Sequence, residues 1–387
     1  MTSGLSRTAL RRIVSGVVTA EVGRLHGGSA QRLPKGDWPD DMLIGEGGLD
    51  LDSLEYLGAL GALADMFDGA EATLGSAAPR TMGDWIDWVG PATARPDASL
   101  SVATSGSTGT PRRTSHPIAR LQAEAEFFAS QLSDRRRVLA LVPGHHLYGL
   151  IWTALLPAAL GAPVLPRELG TDLGLQAGDL IVAVPDQWKV LLQLNRTFPD
   201  GVSGASSGGQ LPDELGPALR AAGLSRLVDI YGASETGAIG MREAPSAPFD
   251  LMPRWHFEFI EGTLELVDQQ GRHEPLPDHI ERVGPRAFRP IGRRDGAVQV
   301  GGLNVWPAQV AATLRTCPGV AEVAVRLDTN GRLKAFVVPE PSWTGDALQD
   351  VLVRFAADHL AVQERPKRFD FGPALPRNEM GKLQDWN

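Results

Sequence analysis

Thr104-Ser105-Gly106-Ser107-Thr108-Gly109-Thr110-Pro111-Arg112 is the stretch from which the chain is best read. Five hydroxyl side chains, two glycines three apart and a closing guanidinium are packed into nine residues. Glycine permits positive φ and close approach of backbone to ligand. Successive backbone N–H groups in such a turn make an anion-binding concavity. A Ser/Gly linker is the competing explanation, since Pro91-Ala92-Thr93-Ala94-Arg95-Pro96 just upstream has linker composition. A linker does not need this glycine spacing followed by Pro-Arg, and the loop lacks the G-x-x-x-x-G-K-[ST] pattern of P-loop NTPases. It reads as a phosphate loop of another kind.

Outward from the loop, the alternation of short apolar strands with helical stretches argues for α/β structure over about 97–292. Val138–Val142, Ala162–Leu165, Leu180–Val184 and Leu227–Ile230 read as strands, and Leu121–Leu132 and Leu211–Ala222 as helices. Residues 293–387 read as a small α+β unit. There Val320–Val325 and Lys334–Val338 are joined through Asn330-Gly331, a hairpin signal. Residues 1–90 read as all-α. Leu10, Ile13, Val14, Val17 and Val18 recur at helical spacing, a second helix starts at Asp52-Ser53-Leu54-Glu55, and a third covers Met82–Val89. Leu54, Leu57, Leu60, Leu63 and Phe67 are the expected apolar side of the second helix. The stretch 36–71 holds ten acidic residues and no Lys or Arg, a field suited to steering a basic partner or simply a solvated face.

Composition sets limits. The chain has 387 residues, 43% hydrophobic and 21% charged, which is ordinary for globular domains. The net charge of -9 does not suit nucleic acid. A single cysteine, Cys317, excludes an internal disulfide and fits a reducing compartment. No apolar run has the length of a membrane span, and no signal-type core follows the N-terminal arginines. A soluble cytoplasmic protein is expected.

A second chemical cluster is Asp229-Ile230-Tyr231-Gly232-Ala233-Ser234-Glu235-Thr236-Gly237. An aromatic at a strand end can stack on a flat base, and a neighbouring carboxylate can hold Mg²⁺ through oxygen. Together with the phosphate loop, Gly292-Arg293-Arg294-Asp295 and Pro376-Arg377-Asn378-Glu379-Met380-Gly381-Lys382-Leu383, it stands in the order found in acyl-adenylating enzymes. The chain from about 99 to 387 resembles this family of acyl-CoA synthetases, adenylation domains of nonribosomal peptide synthetases and luciferases.

The resemblance implies roles for matching residues. Thr104, Ser105, Gly106, Ser107, Thr108, Gly109 and Thr110 would wrap the ATP phosphates. Arg112 stands where a lysine is usual, keeping the charge with a different geometry. His146 would lie near the acyl pocket, and Ser207-Gly208-Gly209-Gln210 would line the adenine and acyl sites. Tyr231 would stack on adenine with Gly232 beside it, Ser234 would bond phosphate, Glu235 would bind Mg²⁺, Asp278 would hold the ribose, and Arg293 would be the nucleotide-binding arginine before the hinge. Asp295 would be the hinge of the C-terminal unit. Gln299 replaces a lysine found in several relatives, and the stretch from Gly301 to Pro307 would face the thiol partner. Lys382 would stabilise charge developing at the carboxylate and α-phosphate.

The front of the chain is unlike the family. Leu49-Asp50-Leu51-Asp52-Ser53-Leu54 resembles the attachment site of acyl and peptidyl carrier proteins, with Ser53 bearing 4'-phosphopantetheine. Asp52 as N-cap and Glu55 at N3 also make a capping box. The expectation is a carrier-like helical domain fused to a shortened adenylating enzyme. It would activate an aryl or acyl carboxylic acid with ATP and pass it to a phosphopantetheine thiol after modification by a phosphopantetheinyl transferase. The alternatives are a CoA ligase with a degenerate carrier domain and a non-catalytic carrier scaffold. No aspartate accompanies the His146 segment to hold an ammonium, so an aryl or acyl acid is favoured over an amino acid.

Overall fold

A computed structural model describes residues 4–26, 32–73, 78–104, 112–194, 197–243, 245–260, 263–294, 296–377 and 383–386. Helices α1 (Arg7–Leu25), α2 (Ser53–Met66) and α3 (Met82–Thr93) come first. Each has a polar N-cap, Ser6, Asp52 and Thr81 respectively, accepting from a backbone N–H of the first turn. Strands β1 (Ser99–Thr104) and β2 (Arg112–Pro117) form an antiparallel hairpin whose last registered pair is Thr104 with Arg112. The stretch expected to be a phosphate loop therefore lies between two paired strands. Residues 105–111 lie outside the described residues.

Next come α4 (Ile118–Gln131), β3 (Arg137–Ala140) and one helical run made of α5 (Leu147–Gly149), a π-helical stretch (Leu150–Leu155) and α6 (Leu156–Leu160). Strands β4 (Val164–Pro166) and β5 (Asp179–Ala183), helix α7 (Pro185–Leu194), β6 (Ser203–Ser206), α8 (Leu215–Ala221) and β7 (Arg226–Ala233) continue the α/β alternation. Strands β8 (Gly237–Arg242) and β9 (Phe249–Leu251) lead to β10 (Trp255–Ile260), β11 (Thr263–Asp268) and β12 (His273–Pro275), which form their own three-stranded sheet. Strands β13 (Asp278–Arg282) and β14 (Ala287–Arg293) complete a nine-stranded sheet of order β13-β14-β9-β8-β7-β6-β5-β3-β4. From β4 to β7 it is parallel, and from β7 to β13 antiparallel. The central α/β expectation holds.

The last unit is β15 (Val298–Val300), β16 (Leu303–Val305), α9 (Pro307–Arg315), β17 (Val320–Leu327), β18 (Leu333–Pro339), α10 (Gly345–His359) and β19 (Arg368–Phe371). Its core, from Val300 to Leu360, is separate from the others, and the Asn330-Gly331 turn joins β17 to β18 antiparallel with Gly331 at φ 74°. This is the small α+β unit expected.

The carrier-like bundle is not there. Ile13, Val14, Val18, Leu63, Trp85 and Val89 belong to one continuous core with Leu150, Trp152, Ile239 and Phe288 of the central α/β unit. Helix α1 packs on the π-helical stretch, and Phe67 bridges to Leu100 of β1. Pro91 to Thr93 are the end of α3 rather than a linker, and Arg95 donates to the Asp68 carbonyl at 2.6 Å. Leu54 and Leu57, expected to be buried, are 66% and 65% exposed. The motif around Ser53 is the capping box: Asp52 accepts from Glu55 N and Glu55 from Asp52 N, both at 2.8 Å. Glu55 is buried. Burial opposes its ionisation, but Arg32, the Asp52 N–H and His26 outweigh this and hold its pKa at about 2. The acidic stretch is also largely spent internally, on Arg7, Arg11 and Arg12 through Asp40 and Asp37, and on Arg113 through Asp65. Among the described residues, no helix is long and apolar enough to cross a membrane.

Candidate active site

The phosphate hairpin is held from behind by the N-terminal region. Asp68, just past α2, accepts from Ser99 Oγ (2.5 Å) and Ser101 Oγ (2.8 Å) on β1 and from Ser115 Oγ (2.8 Å) on β2. One carboxylate thereby ties both strands that carry the loop. Charge-assisted bonds of this kind are roughly twice as strong as neutral ones.

At the antiparallel edge of β7, Tyr231 packs 5.5 Å from the rings of Phe249 and Phe288. Its hydroxyl donates to Asp278 Oδ2 at 2.5 Å. Burial and then the Asp278 charge push the Tyr231 pKa far upward, so it stays a donor. Asp278 opens β13 directly opposite Arg293 of β14, with Arg293 Nε 4.0 Å from Asp278 Oδ1. Three residues expected at one nucleotide are thus brought together. Gly232 lies opposite Ala238 across the β7–β8 hairpin, where a Cβ would meet the Gly237 carbonyl oxygen at 2.3 Å.

Glu235 sits exposed on the turn between β7 and β8. Four buried or half-buried groups that the motifs do not include hold that turn from below. His116 Nε2 donates to the Ser234 carbonyl at 2.7 Å. Arg120 and Arg254 donate to the Thr236 carbonyl at 2.6 and 2.5 Å. Glu124 accepts from Ala238 N at 3.1 Å and pairs with Arg254 at 2.7 Å. Burial, opposed by the Ser234 hydrogen bond but aided by Arg120 and Arg254, lowers the His116 pKa to about 4. Burial raises that of Glu124 against the pull of Arg254. The available sequence signal was the spacing of Arg120 and Glu124, one helical turn apart on α4.

His146 precedes α5, with its ring 4.1 Å from that of His145. It reaches solvent, yet the surrounding protein lowers its pKa, as in a cleft. The segment is braced by α1: Arg12 donates to the Val142 carbonyl at 2.6 Å and to Thr153 Oγ1 at 3.2 Å, and pairs with Asp37 at 2.9 Å. A buried arginine between Leu10 and Ile13 on an apolar helix face was the signal for this brace. Tyr148 donates to the Ala183 carbonyl at 3.3 Å, and burial raises its pKa strongly.

After β6 the chain turns at Gly208, φ 77°, and Ser207 Oγ donates to the Ile230 carbonyl at 2.9 Å. The C-terminal unit comes down on this turn. A Cβ at Gly302 would lie 3.4 Å from the Gly208 carbonyl, and one at Gly209 3.3 Å from Gln299 Oε1. Asp295 and Lys382 lie outside the described residues. The flanks of the lysine segment are anchored: Arg377 and Leu383 form a bridge, and Gln384 N donates to the Pro376 carbonyl at 2.8 Å.

Among the described residues, no three His, Cys, Asp or Glu side chains gather as a metal cage. A single exposed carboxylate such as Glu235 suits an ion that keeps several waters and takes further oxygen ligands from a bound phosphate, as Mg²⁺ does.

Residues 72–275 match the description "AMP-binding enzyme", and residues 309–382 match "AMP-binding enzyme C-terminal domain". The chain is 38% identical over 398 residues to the 4-coumarate–CoA ligase of Rhodobacter capsulatus, covering 98% of this chain and 100% of that protein. It is 37% identical over 405 residues to the 4-coumarate–CoA ligase of Halorhodospira halophila, with the same coverage. Among solved structures, a double mutant of o-succinylbenzoate CoA synthetase from Bacillus subtilis shares the fold at TM-score 0.62 and 21% identity, over 75% of this chain and 69% of that one. The N-terminal region aligns with relatives that are themselves ligases from end to end, so neither an appended carrier domain nor a shortened front is supported. The chain belongs to the AMP-binding enzyme family and is an AMP-forming acid–thiol ligase.

Proposed function

We propose that the protein activates an aryl acid of the 4-coumarate type as its acyl-AMP and transfers the acyl group to the thiol of CoA. The observation that carries this reading is the similarity over essentially the whole chain to two 4-coumarate–CoA ligases. The carrier-protein acceptor, the 4'-phosphopantetheine on Ser53 and the phosphopantetheinyl transferase are replaced by free CoA, because the region that suggested them is part of the enzyme core.

In this reading the loop from Thr104 to Thr110 and Arg112 offset phosphate charge, Gly208, Tyr231 and Gly232 border the base, and Asp278 and Arg293 take the ribose. Ser234 lies against phosphate. Glu235 would hold Mg²⁺, which would supply neutralisation of phosphate charge. The substrate carboxylate attacks the α-phosphorus of ATP, pyrophosphate leaves, and Lys382 stabilises the charge that develops. The C-terminal unit then turns about Asp295 and brings the Gly301–Gly302 loop to the acyl pocket, where the thiol attacks the acyl carbonyl and AMP leaves. The contact between Gly302 and the Gly208 turn supports this arrangement for the second step. His146 and Tyr148 border the acyl group.

The test is acid-dependent ATP–pyrophosphate exchange over a panel of hydroxycinnamic, hydroxybenzoic and aliphatic acids, followed by CoA thioester detection by mass. The expected result is exchange and thioester formation with 4-coumarate ahead of the other acids. Exchange confined to aliphatic acids overturns the substrate class. Lys382→Ala should abolish exchange and leave the far-UV circular dichroism unchanged, and undiminished exchange overturns its role.

A further inference from the structure

The turn carrying Glu235 stands on an arrangement that burial alone does not favour. Two guanidiniums and one carboxylate are placed under a single β-turn. Desolvating such groups costs several kcal/mol each, and well-packed apolar residues often serve stability better. Here the charged set is fitted to the turn. His116 holds the carbonyl of Ser234, which belongs to the peptide plane entering Glu235. Arg120 and Arg254 together hold the carbonyl of Thr236, in the peptide plane that joins Thr236 to Gly237. The Trp255 ring carries both guanidiniums, their centres 5.2 and 4.9 Å from its centroid, and donates through Nε1 to the Ala238 carbonyl at 3.0 Å. The turn is in turn cut to admit the set: Gly237 is at φ 69°, and a Cβ there would meet Arg254 Nη2 and Glu124 Oε2, each at 2.8 Å. The side chains come from β2, α4 and the start of β10, so the strand leaving the phosphate loop and the turn bearing Glu235 share one support.

We propose that His116, Arg120, Glu124 and Arg254 are positioning residues that fix the peptide plane entering Glu235 and the two planes that follow Thr236, and thereby set the turn on which Glu235 binds Mg²⁺. This rests on the reading of Glu235 as the Mg²⁺ carboxylate. None of the four touches substrate in that reading. Partners that orient a metal ligand typically alter metal affinity about 10- to 100-fold when removed.

The experiment is a Mg²⁺ titration of acid-dependent ATP–pyrophosphate exchange with His116→Leu, His116→Gln, Glu124→Gln and Glu235→Gln, alongside thermal melting of each variant. His116→Leu should raise the half-saturating Mg²⁺ concentration by about tenfold with little change in KM for the acid. His116→Gln keeps an N–H donor and should stay within about twofold of the parent. In a Glu235→Gln background, His116→Leu should add less than about twofold. If His116→Leu does not fold, Glu124→Gln, which keeps the acceptor for Ala238 N and loses the charge for Arg254, carries the same test. A raised requirement in Glu235→Gln with none in the His116 and Glu124 variants overturns the positioning role alone. An unchanged requirement in Glu235→Gln overturns the Mg²⁺ assignment beneath it.

Discussion

The Tyr231 hydroxyl donates to Asp278 across 47 residues of chain, at 2.5 Å, and so links the central strand β7 to the edge strand β13. Asp278→Ala removes the acceptor and the proposed ribose ligand together. A hydrogen bond to a charged group is worth roughly 1.5–3 kcal/mol, so KM for ATP should rise by about 10- to 100-fold. Tyr231→Phe keeps the ring and loses only the donor, and its rise should be clearly smaller. Steady-state exchange over ATP concentration measures both, and equal effects would mean that Asp278 acts only through the tyrosine.

Asp68 is the common acceptor for three serine hydroxyls on the β1–β2 hairpin. Asp68→Ala should destabilise the protein by about 2–4 kcal/mol, since each orphaned donor loses a charge-assisted partner but some regain water. Nucleotide affinity should fall as well, because the hairpin carries the phosphate loop. Denaturant unfolding and ATP titration of the folded protein separate the two effects, and full ATP affinity in the folded variant would detach the hairpin's support from its function.

The pH dependence of stability has a defined sign at His116. Its pKa falls from 6.5 to about 4 on folding, mainly through burial. The unfolded chain therefore takes up the proton first as pH falls. The stability from keeping this imidazole neutral is fully present above pH 6.5 and is lost as pH drops toward 4. The shift corresponds to about 3 kcal/mol. Melting temperatures between pH 7.5 and 4 should fall more steeply for the parent than for His116→Gln, and parallel curves would refute the shift.

Ser53 tests the corrected reading of the N-terminal region. Ser53→Ala leaves the Asp52–Glu55 capping box intact. CoA thioester formation should be unchanged within about twofold, and the parent should gain no mass on incubation with a phosphopantetheinyl transferase and CoA. A mass gain lost in Ser53→Ala would restore the carrier reading.

The legible part of this protein was the part whose information is local. Asn330-Gly331 states a backbone requirement within two residues, and the β17–β18 hairpin meets it. The α/β alternation followed from period alone. The support beneath Glu235 was not legible, because His116 and Ser234 are 118 residues apart and the pairing exists only once β2 lies beside the β7–β8 turn. The carrier resemblance failed for a related reason. Asp-Ser-Leu-Glu states a helix start, and it says nothing about what the helix packs on. Periodicity placed Leu54, Leu57 and Leu63 on one face, but only Leu63 of the three found a core to enter.

Lys334 is 2% exposed on β18, donates to the Trp386 carbonyl at 2.5 Å and lies 3.0 Å from Asp385 Oδ1. Arg326 on β17 donates to the Leu383 carbonyl at 2.7 Å. Residues 383–386 are therefore fastened to β17 and β18, and Arg377 is bridged to Leu383. The entropic cost of ordering these last described residues is met once, during folding, and not again in each turnover. Lys334→Ala should therefore loosen 383–386 and leave the α/β core and the Tyr231–Asp278 pair as they are.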